Sequence, residues 1–183
     1  MTAPQLLSLL RNSRWSGIPS SPGIYWWFFP RTALKTLCIT AMCEGLLFPP
    51  GENMPLYCGI ANDLKRRIKE HAAQQLTRRC LLLKSLSTLR LALLALNNFA
   101  YADGQQTIDG YFDTLHVCWQ TTNSRHEAED LEARELCTHP YPLNIQKNRH
   151  ATLASFIRDV QSERAAYTQQ TLIQISETAL SEL

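Results

Sequence analysis

The sequence lacks the features that mark membrane, secreted and zinc-binding proteins. No stretch approaches the ~18 consecutive apolar residues of a transmembrane helix, because the longest candidate, 81–99, is interrupted by charged and polar residues. The N-terminus has no basic segment followed by a long apolar core, so it does not resemble a signal peptide. The six cysteines show no CxxC spacing and no Cys/His cluster, which argues against zinc and favours reduced thiols in a cytoplasmic protein.

The net charge is also small, but the charges are unevenly distributed. The chain of 183 residues is 45% hydrophobic and 19% charged, with a formal charge of +2, which suits one globular domain. Eight Lys or Arg and two acids lie within 62–90, whereas nine of the sixteen acids follow residue 123. Such a basic region suits contact with phosphate groups, although a solvated helix face is the commoner meaning of such a run.

The stretch from Leu56 to His71 predicts a strand, a tight turn and a helix. A short apolar run ends near Tyr57, and Asn62-Asp63 stands where a helix needs an N-cap. Apolar residues four apart then form a helical stripe. Arg67 and His71 are also four apart, so we expect them to emerge together beside the tyrosine.

Further motifs lie upstream and downstream. Pro22-Gly23-Ile24-Tyr25 begins an aromatic strand, and alternating residues predict another strand at 115–121. A capping-box pattern at Ser124 starts a helix on which Glu132 lies beside an apolar stripe. Prolines end this helix, and Asn144 follows in the sequence PYPLN. Taken alone, Glu132 is most simply a surface charge.

Together and in this order, these motifs resemble the GIY-YIG nuclease family. The resemblance implies an α+β fold with a small antiparallel three-stranded central sheet flanked by helices. It implies a single domain over 1–183, with a core at about 22–149 and a helical extension at 150–183. The segments 32–55 and 78–110 then count as insertions. Sequence patterns add helices at 4–11, 81–96, 153–167 and 172–183, and a loop at 97–106.

The resemblance also implies an activity, namely hydrolysis of phosphodiester bonds in DNA, most simply double-stranded, by a metal-dependent endonuclease. Glu132 would bind Mg²⁺ or Mn²⁺, since carboxylate oxygen is a hard ligand. Arg67 would hold the scissile phosphate. The general base is left open among Tyr25, Tyr57 and His71, and Asn144 would brace the site.

Two positions depart from the family pattern. Cys58 replaces the usual Val or Ile, and Ile60 stands where many members have Lys. The missing cation would have lowered a tyrosine pKa, so the choice of base shifts toward His71 or a contribution from Lys65.

The sequence also predicts contacts with nucleic acid and is compatible with several biological roles. The basic residues predicted to contact DNA are Lys65, Arg66, Lys69, Arg78, Arg79, Lys84 and Arg90. Restriction, phage defence, repair and mobile-element biology all fit, and a homodimer stays open. One alternative is a catalytically weak module that binds DNA or a partner, and another is a toxin or effector nuclease controlled by an inhibitor protein.

Overall fold

The protein has an α+β fold in the computed structural model, which describes residues 1–33, 53–148 and 153–181. The strands are β1 (Gln5–Leu6), β2 (Gly23–Pro30), β3 (Asn53–Ala61) and β4 (His116–Thr121). The helices are α1 (Leu7–Asn12), α2 (Leu64–Ala73), α3 (Arg78–Leu82), α4 (Thr88–Leu96), α5 (Tyr101–Asp113), α6 (Arg125–Thr138) and α7 (Ala154–Ser181).

The strands form one antiparallel sheet in the order β1-β4-β2-β3. The predicted fold class is therefore confirmed, with one strand more than expected. The extra strand is the two-residue β1, which pairs Gln5 with Val117 and Leu6 with His116. Without it, β4 would leave its backbone groups unpaired on that edge. The helix predicted at 4–11 accordingly begins only at Leu7.

The side chains of a strand alternate between the two faces of a sheet. Those of β2 therefore pack into two hydrophobic clusters of unequal size, one on each face. Tyr25, Trp27 and Phe29 enter a large hydrophobic cluster that also includes residues of α2, α4, α5 and α7. Ile24 and Trp26 enter a small cluster with residues of α6 and Tyr141. We name these the thick layer and the thin layer.

Three sequence-based boundaries differ from the structure. The loop predicted at 97–106 gives way to α5, because Gly104 is a buried helix residue rather than a turn. A Cβ there would lie 3.5 Å from Leu76 and 3.6 Å from Leu94, which is ordinary van der Waals contact, so the site accepts a helical residue without a steric need for glycine. The helical run predicted at 81–96 divides into α3 and α4, since Ser87 caps a new helix. The two predicted C-terminal helices are one helix, α7.

Three further expectations concern membrane helices, cysteines and the insertion at 32–55. Among the described helices none is long and apolar enough to cross a membrane. Of the described cysteines, Cys58, Cys80 and Cys118 are buried, whereas Cys137 is exposed. The insertion expected at 32–55 falls mainly on 34–52, outside the described residues.

Candidate active site

The two tyrosines of the motifs lie side by side on the thick-layer face of the sheet. Strand pairing places Tyr25 opposite Gly59 and Trp27 opposite Tyr57, and the tyrosine ring centroids are 6.3 Å apart. A Cβ built on Gly59 would lie 2.6 Å from the hydroxyl oxygen of Tyr25. Glycine is therefore required at position 59 so that the Tyr25 hydroxyl can cross over β3.

A second glycine fixes the approach of the neighbouring elements. A Cβ on Gly23 would lie 2.3 Å from the carbonyl oxygen of Gln120 and 2.7 Å from a methyl group of Leu64. The start of β2 is thus packed against both β4 and the first turn of α2. This packing explains why the motif begins with glycine.

Helix α2 begins as predicted at Asp63, whose carboxylate accepts the N–H of Arg66 at 2.8 Å. The buried stripe of Leu64, Ile68 and Ala72 fixes the helix on the core. Arg67 lies at the edge of that stripe and lines a cavity with the tyrosines.

His71 lies beside Tyr25 as predicted, but it is buried in the core and does not line the cavity with Arg67. Its side chain is completely buried in the thick layer. Nε2 of His71 lies 2.7 Å from the Tyr25 hydroxyl, and Nδ1 contacts Ser87 Oγ. Burial lowers the pKa of His71 well below its usual value, and the charges of Arg67 and Arg90 lower it further. The imidazole is therefore neutral and can accept the Tyr25 hydroxyl proton through Nε2.

Burial also shifts the pKa values of the two tyrosines. It raises the pKa of Tyr25 well above the usual value; the neighbouring Tyr57 raises it further, whereas Arg67 opposes the change. Burial likewise raises the pKa of Tyr57 against the lowering effect of Arg67. Both hydroxyls are accordingly protonated at neutral pH. A proton taken up by Tyr25 must therefore pass on to another group, and His71 is hydrogen-bonded to it.

Glu132 enters the site from the thin layer. Helix α6 begins as predicted at Ser124, whose hydroxyl accepts the N–H of Glu127. The Glu132 side chain is only 11% exposed, and its Oε2 lies 3.0 Å from Nζ of Lys147. It lines the same cavity as Tyr25 and Arg67, with a volume of about 220 Å³. Glu132 is therefore part of a site and not a surface charge.

Asn144 and its loop cover the free edge of β3. Oδ1 of Asn144 accepts the N–H of Cys58 at 2.9 Å, and Nδ2 donates to the Cys58 carbonyl at 2.7 Å. The N–H of Leu143 donates to the Leu56 carbonyl at 3.0 Å. The side-chain amide thus stands in for the neighbouring strand that β3 lacks, which satisfies buried backbone groups. The loop passes from Tyr141 in the thin layer to Leu143 and Ile145 in the thick layer.

Comparison with known protein families identifies the family to which the chain belongs. The family model of the GIY-YIG catalytic domain matches residues 23–166. The chain belongs to the GIY-YIG catalytic domain family. The family predicted from the sequence motifs is therefore confirmed, and membership implies nuclease activity in general. No curated protein and no solved structure matches the chain.

The donor set of this GIY-YIG domain fits a hard divalent cation held by few protein ligands. No group of three His, Cys, Asp or Glu side chains converges among the described residues. Of the residues that the structure describes, Glu132 is the one that offers a buried carboxylate at the cavity wall. A single carboxylate suits Mg²⁺, which keeps several waters and binds substrate phosphate. Lys147 already provides a positive charge at that carboxylate.

The basic residues predicted to contact nucleic acid divide into two groups. Arg66, Lys69, Arg78, Arg79 and Lys84 are exposed and Lys65 is partly exposed, so a phosphate backbone can reach them. Arg90 is a correction, because its side chain is completely buried. It pairs with Asp109 and donates to the carbonyls of His71 and Ala72 at 3.2 and 3.1 Å. Arg90 therefore supports the fold.

Several residues that line or support the cavity had no distinctive sequence signal. Lys147 and Arg125 add positive charge, and Thr88 and Gln146 add polar walls. Lys65, which was expected to compensate for Ile60, lines the outer face of α2 instead. The cation nearest Glu132 comes from Lys147, fifteen residues away in the chain. No periodicity links the two positions, so the ion pair is visible only in the folded structure.

Proposed function

We propose that the protein is a divalent-metal-dependent endonuclease that hydrolyses phosphodiester bonds in DNA. The observation that carries the proposal is the single cavity in which two tyrosines, Arg67 and Glu132 converge at the edge of β3. Phosphodiester hydrolysis needs a cation for the phosphate, a base for the water and charge stabilisation at the leaving oxygen. Each of these needs has a candidate side chain in or beside this cavity.

The proton path runs through the thick layer. Tyr25 donates its hydroxyl proton to neutral His71 while it takes a proton from the attacking water, so that one proton moves from water to the imidazole. The water oxygen forms a bond to phosphorus and the bond to the leaving oxygen breaks; solvent then protonates that oxygen. The 2.7 Å contact between Tyr25 and His71 supports this path. Tyr57 orients the water beside Tyr25.

The phosphate is held by charges from both layers. Arg67 binds the nonbridging oxygens, for which its planar guanidinium is suited. A divalent cation held by Glu132 would act as a Lewis acid on the phosphate. Asn144 keeps β3, and with it Tyr57, in place through its two bonds to Cys58. Exposed cations on α2 and α3 would contact the DNA backbone outside the cavity.

The test is cleavage of supercoiled plasmid in Mg²⁺, Mn²⁺ or EDTA by wild-type protein and by Glu132→Ala. The matched control is Asp130→Ala, which removes an exposed carboxylate of the same helix. We expect metal-dependent nicking or linearisation by wild type and control. The cleavage rate of Glu132→Ala should be lower by more than about 100-fold, which exceeds the effect of losing a residue that only hydrogen-bonds to a metal ligand.

Assays with other nucleic acids distinguish the alternative substrates and functions. Single-stranded DNA and RNA of the same sequence test the proposed preference for DNA. Equal cleavage by wild type and Glu132→Ala, or cleavage that persists in EDTA, would contradict the metal role of Glu132. DNA binding without cleavage in any metal would indicate a binding module.

A further inference from the structure

A second cavity adjoins the catalytic cavity and is not used by the proposed chemistry. It lies between α3, α4 and α7 and has a volume of about 600 Å³, within the ~300–1,000 Å³ of ligand pockets in proteins. Thr88 and Gln146 line both cavities. We name this second cavity the α7 cleft. A ligand in the catalytic cavity can therefore extend into it.

The walls of the α7 cleft combine flat apolar surface with amide groups. Leu81, Leu86, Leu91 and Leu172 supply apolar area. The polar lining includes Gln146, Gln161, Thr168 and Gln169. Apolar surface covers the faces of a nucleobase, and amide side chains both donate to and accept from its edges. Paired bases in a duplex have their faces stacked, so only an unstacked base fits this lining.

Arg164 gives the cleft a positive charge. It lies on α7 and lines the cleft, and its Nε is buried without a hydrogen-bond partner among the described residues. Burial lowers the pKa of Arg164, while Tyr57 acts in the opposite direction. A buried N–H that lacks a partner is a donor available to an incoming acceptor. A phosphate that leads out of the catalytic cavity is such an acceptor.

We propose that the α7 cleft binds the unstacked nucleotide next to the scissile phosphate, with its base among the leucines and its phosphate at Arg164. The proposal rests on the proposed nuclease function. It gives the long C-terminal helix a role in substrate binding. The preferred substrate is then a strand with an unpaired base beside the cut, such as a single strand or a duplex with a bubble.

The main test fills the cleft without removing a polar group. Ala165→Trp places a large side chain in it, because Ala165 lines the cleft and is exposed. The matched control, Ala166→Trp, changes the next residue of the same helix, which does not line the cleft. Both substitutions are made on Glu132→Ala protein so that fluorescence anisotropy reports binding of uncut oligonucleotides. Circular dichroism and thermal melting confirm that each variant is folded.

The oligonucleotides are labelled single strands and bubble duplexes in which an abasic site replaces each base in turn. We expect Ala165→Trp to weaken binding by about tenfold or more, as loss of one base contact does, and Ala166→Trp to bind like its parent. One abasic position should weaken binding to the parent and have no further effect in Ala165→Trp. Arg164→Gln should lower the slope of log affinity against log salt by about one.

The outcomes separate the cleft from the nuclease activity. Equal binding by both tryptophan variants, or an abasic effect that is the same in both, would overturn the cleft proposal even if wild type cleaves DNA. Loss of binding in Ala165→Trp together with absence of cleavage by wild type would support the cleft and contradict the nuclease proposal. Failure of the parent protein to bind any of the oligonucleotides would overturn the cleft proposal, whereas the nuclease proposal would still be decided by cleavage with wild type.

Discussion

The two layers of the molecule contribute to the site in different ways. In the thick layer, His71, Ser87 and Arg90 are buried behind Tyr25 and connected by hydrogen bonds. The thin layer places Glu132 at the cavity and has a much smaller hydrophobic cluster. A buried network is costly to disturb, whereas a group at a cavity wall can change with little effect on the core. In the proposed mechanism the thick layer thus combines stability with proton transfer, and the thin layer carries a group that would bind the metal.

The largest expected effect concerns stability. Arg90→Met removes the partner of Asp109 and the donor to two backbone carbonyls. We expect the free energy of unfolding to fall by about 3 kcal/mol or more, and chemical denaturation measures this change. The control Arg79→Met, at an exposed site, should change stability by less than about 0.5 kcal/mol.

A change where β3 crosses the site should also reduce activity strongly. In Gly59→Ala the new methyl group would lie 2.6 Å from the Tyr25 hydroxyl, which must move away from His71. A displacement of a reacting group by roughly 1 Å can lower the rate of the reaction by about 100-fold. The control Gly110→Ala adds a methyl group where nothing lies within 4 Å and should stabilise its helix by about 0.5–1 kcal/mol. Unchanged cleavage by Gly59→Ala would show that the position of Tyr25 is not critical.

The ion pair between Glu132 and Lys147 tests whether the thin layer binds a metal. Lys147 has a left-handed backbone conformation with φ 63°, which is costly for a residue with a side chain. Because its ammonium repels a second cation at Glu132, Lys147→Met should tighten Mn²⁺ binding by up to about tenfold. Electron paramagnetic resonance titration measures this affinity, with Glu132→Ala as the variant that should not bind. Weaker binding in Lys147→Met would instead show that Lys147 helps to shape the metal site.

The smallest effect is a change in pH dependence. Unfolded His71 takes up a proton near pH 6.5, whereas burial, together with Arg67 and Arg90, keeps the folded pKa well below this value. Unfolding therefore binds a proton below about pH 6.5, so stability falls as the pH decreases, by at most about 1.4 kcal/mol per pH unit. His71→Gln should reduce this slope. Tyr25 and Tyr57 also face the imidazole, but their raised pKa values keep them neutral in this range.

Local patterns were sufficient for much of the fold and for part of the site. The caps at Asp63 and Ser124 and the two strands with the tyrosines follow rules that act over a few residues. Burial depends on contacts between distant segments, which is why Arg90 was misassigned to a surface and the complete burial of His71 beside Tyr25 was not predicted. The Lys147 ion pair and the α7 cleft likewise join residues far apart in the chain. The predicted homodimer, inhibitor protein and biological setting stay predictions.

The orientation of the β2–β3 hairpin has a consequence for how such a protein can diversify. Gly23 pairs with Ala61 at one end of the hairpin, and Pro30 pairs with Asn53 at the other. Tyr25 lies near the first end, roughly 17 Å along the strand from Pro30 at ~3.3 Å per residue. The connection between the strands can thus lengthen or acquire a whole new module while the reacting groups keep their spacing. Residues can therefore be added or exchanged at one end of this hairpin while the side chains of the candidate site at the other end keep their positions.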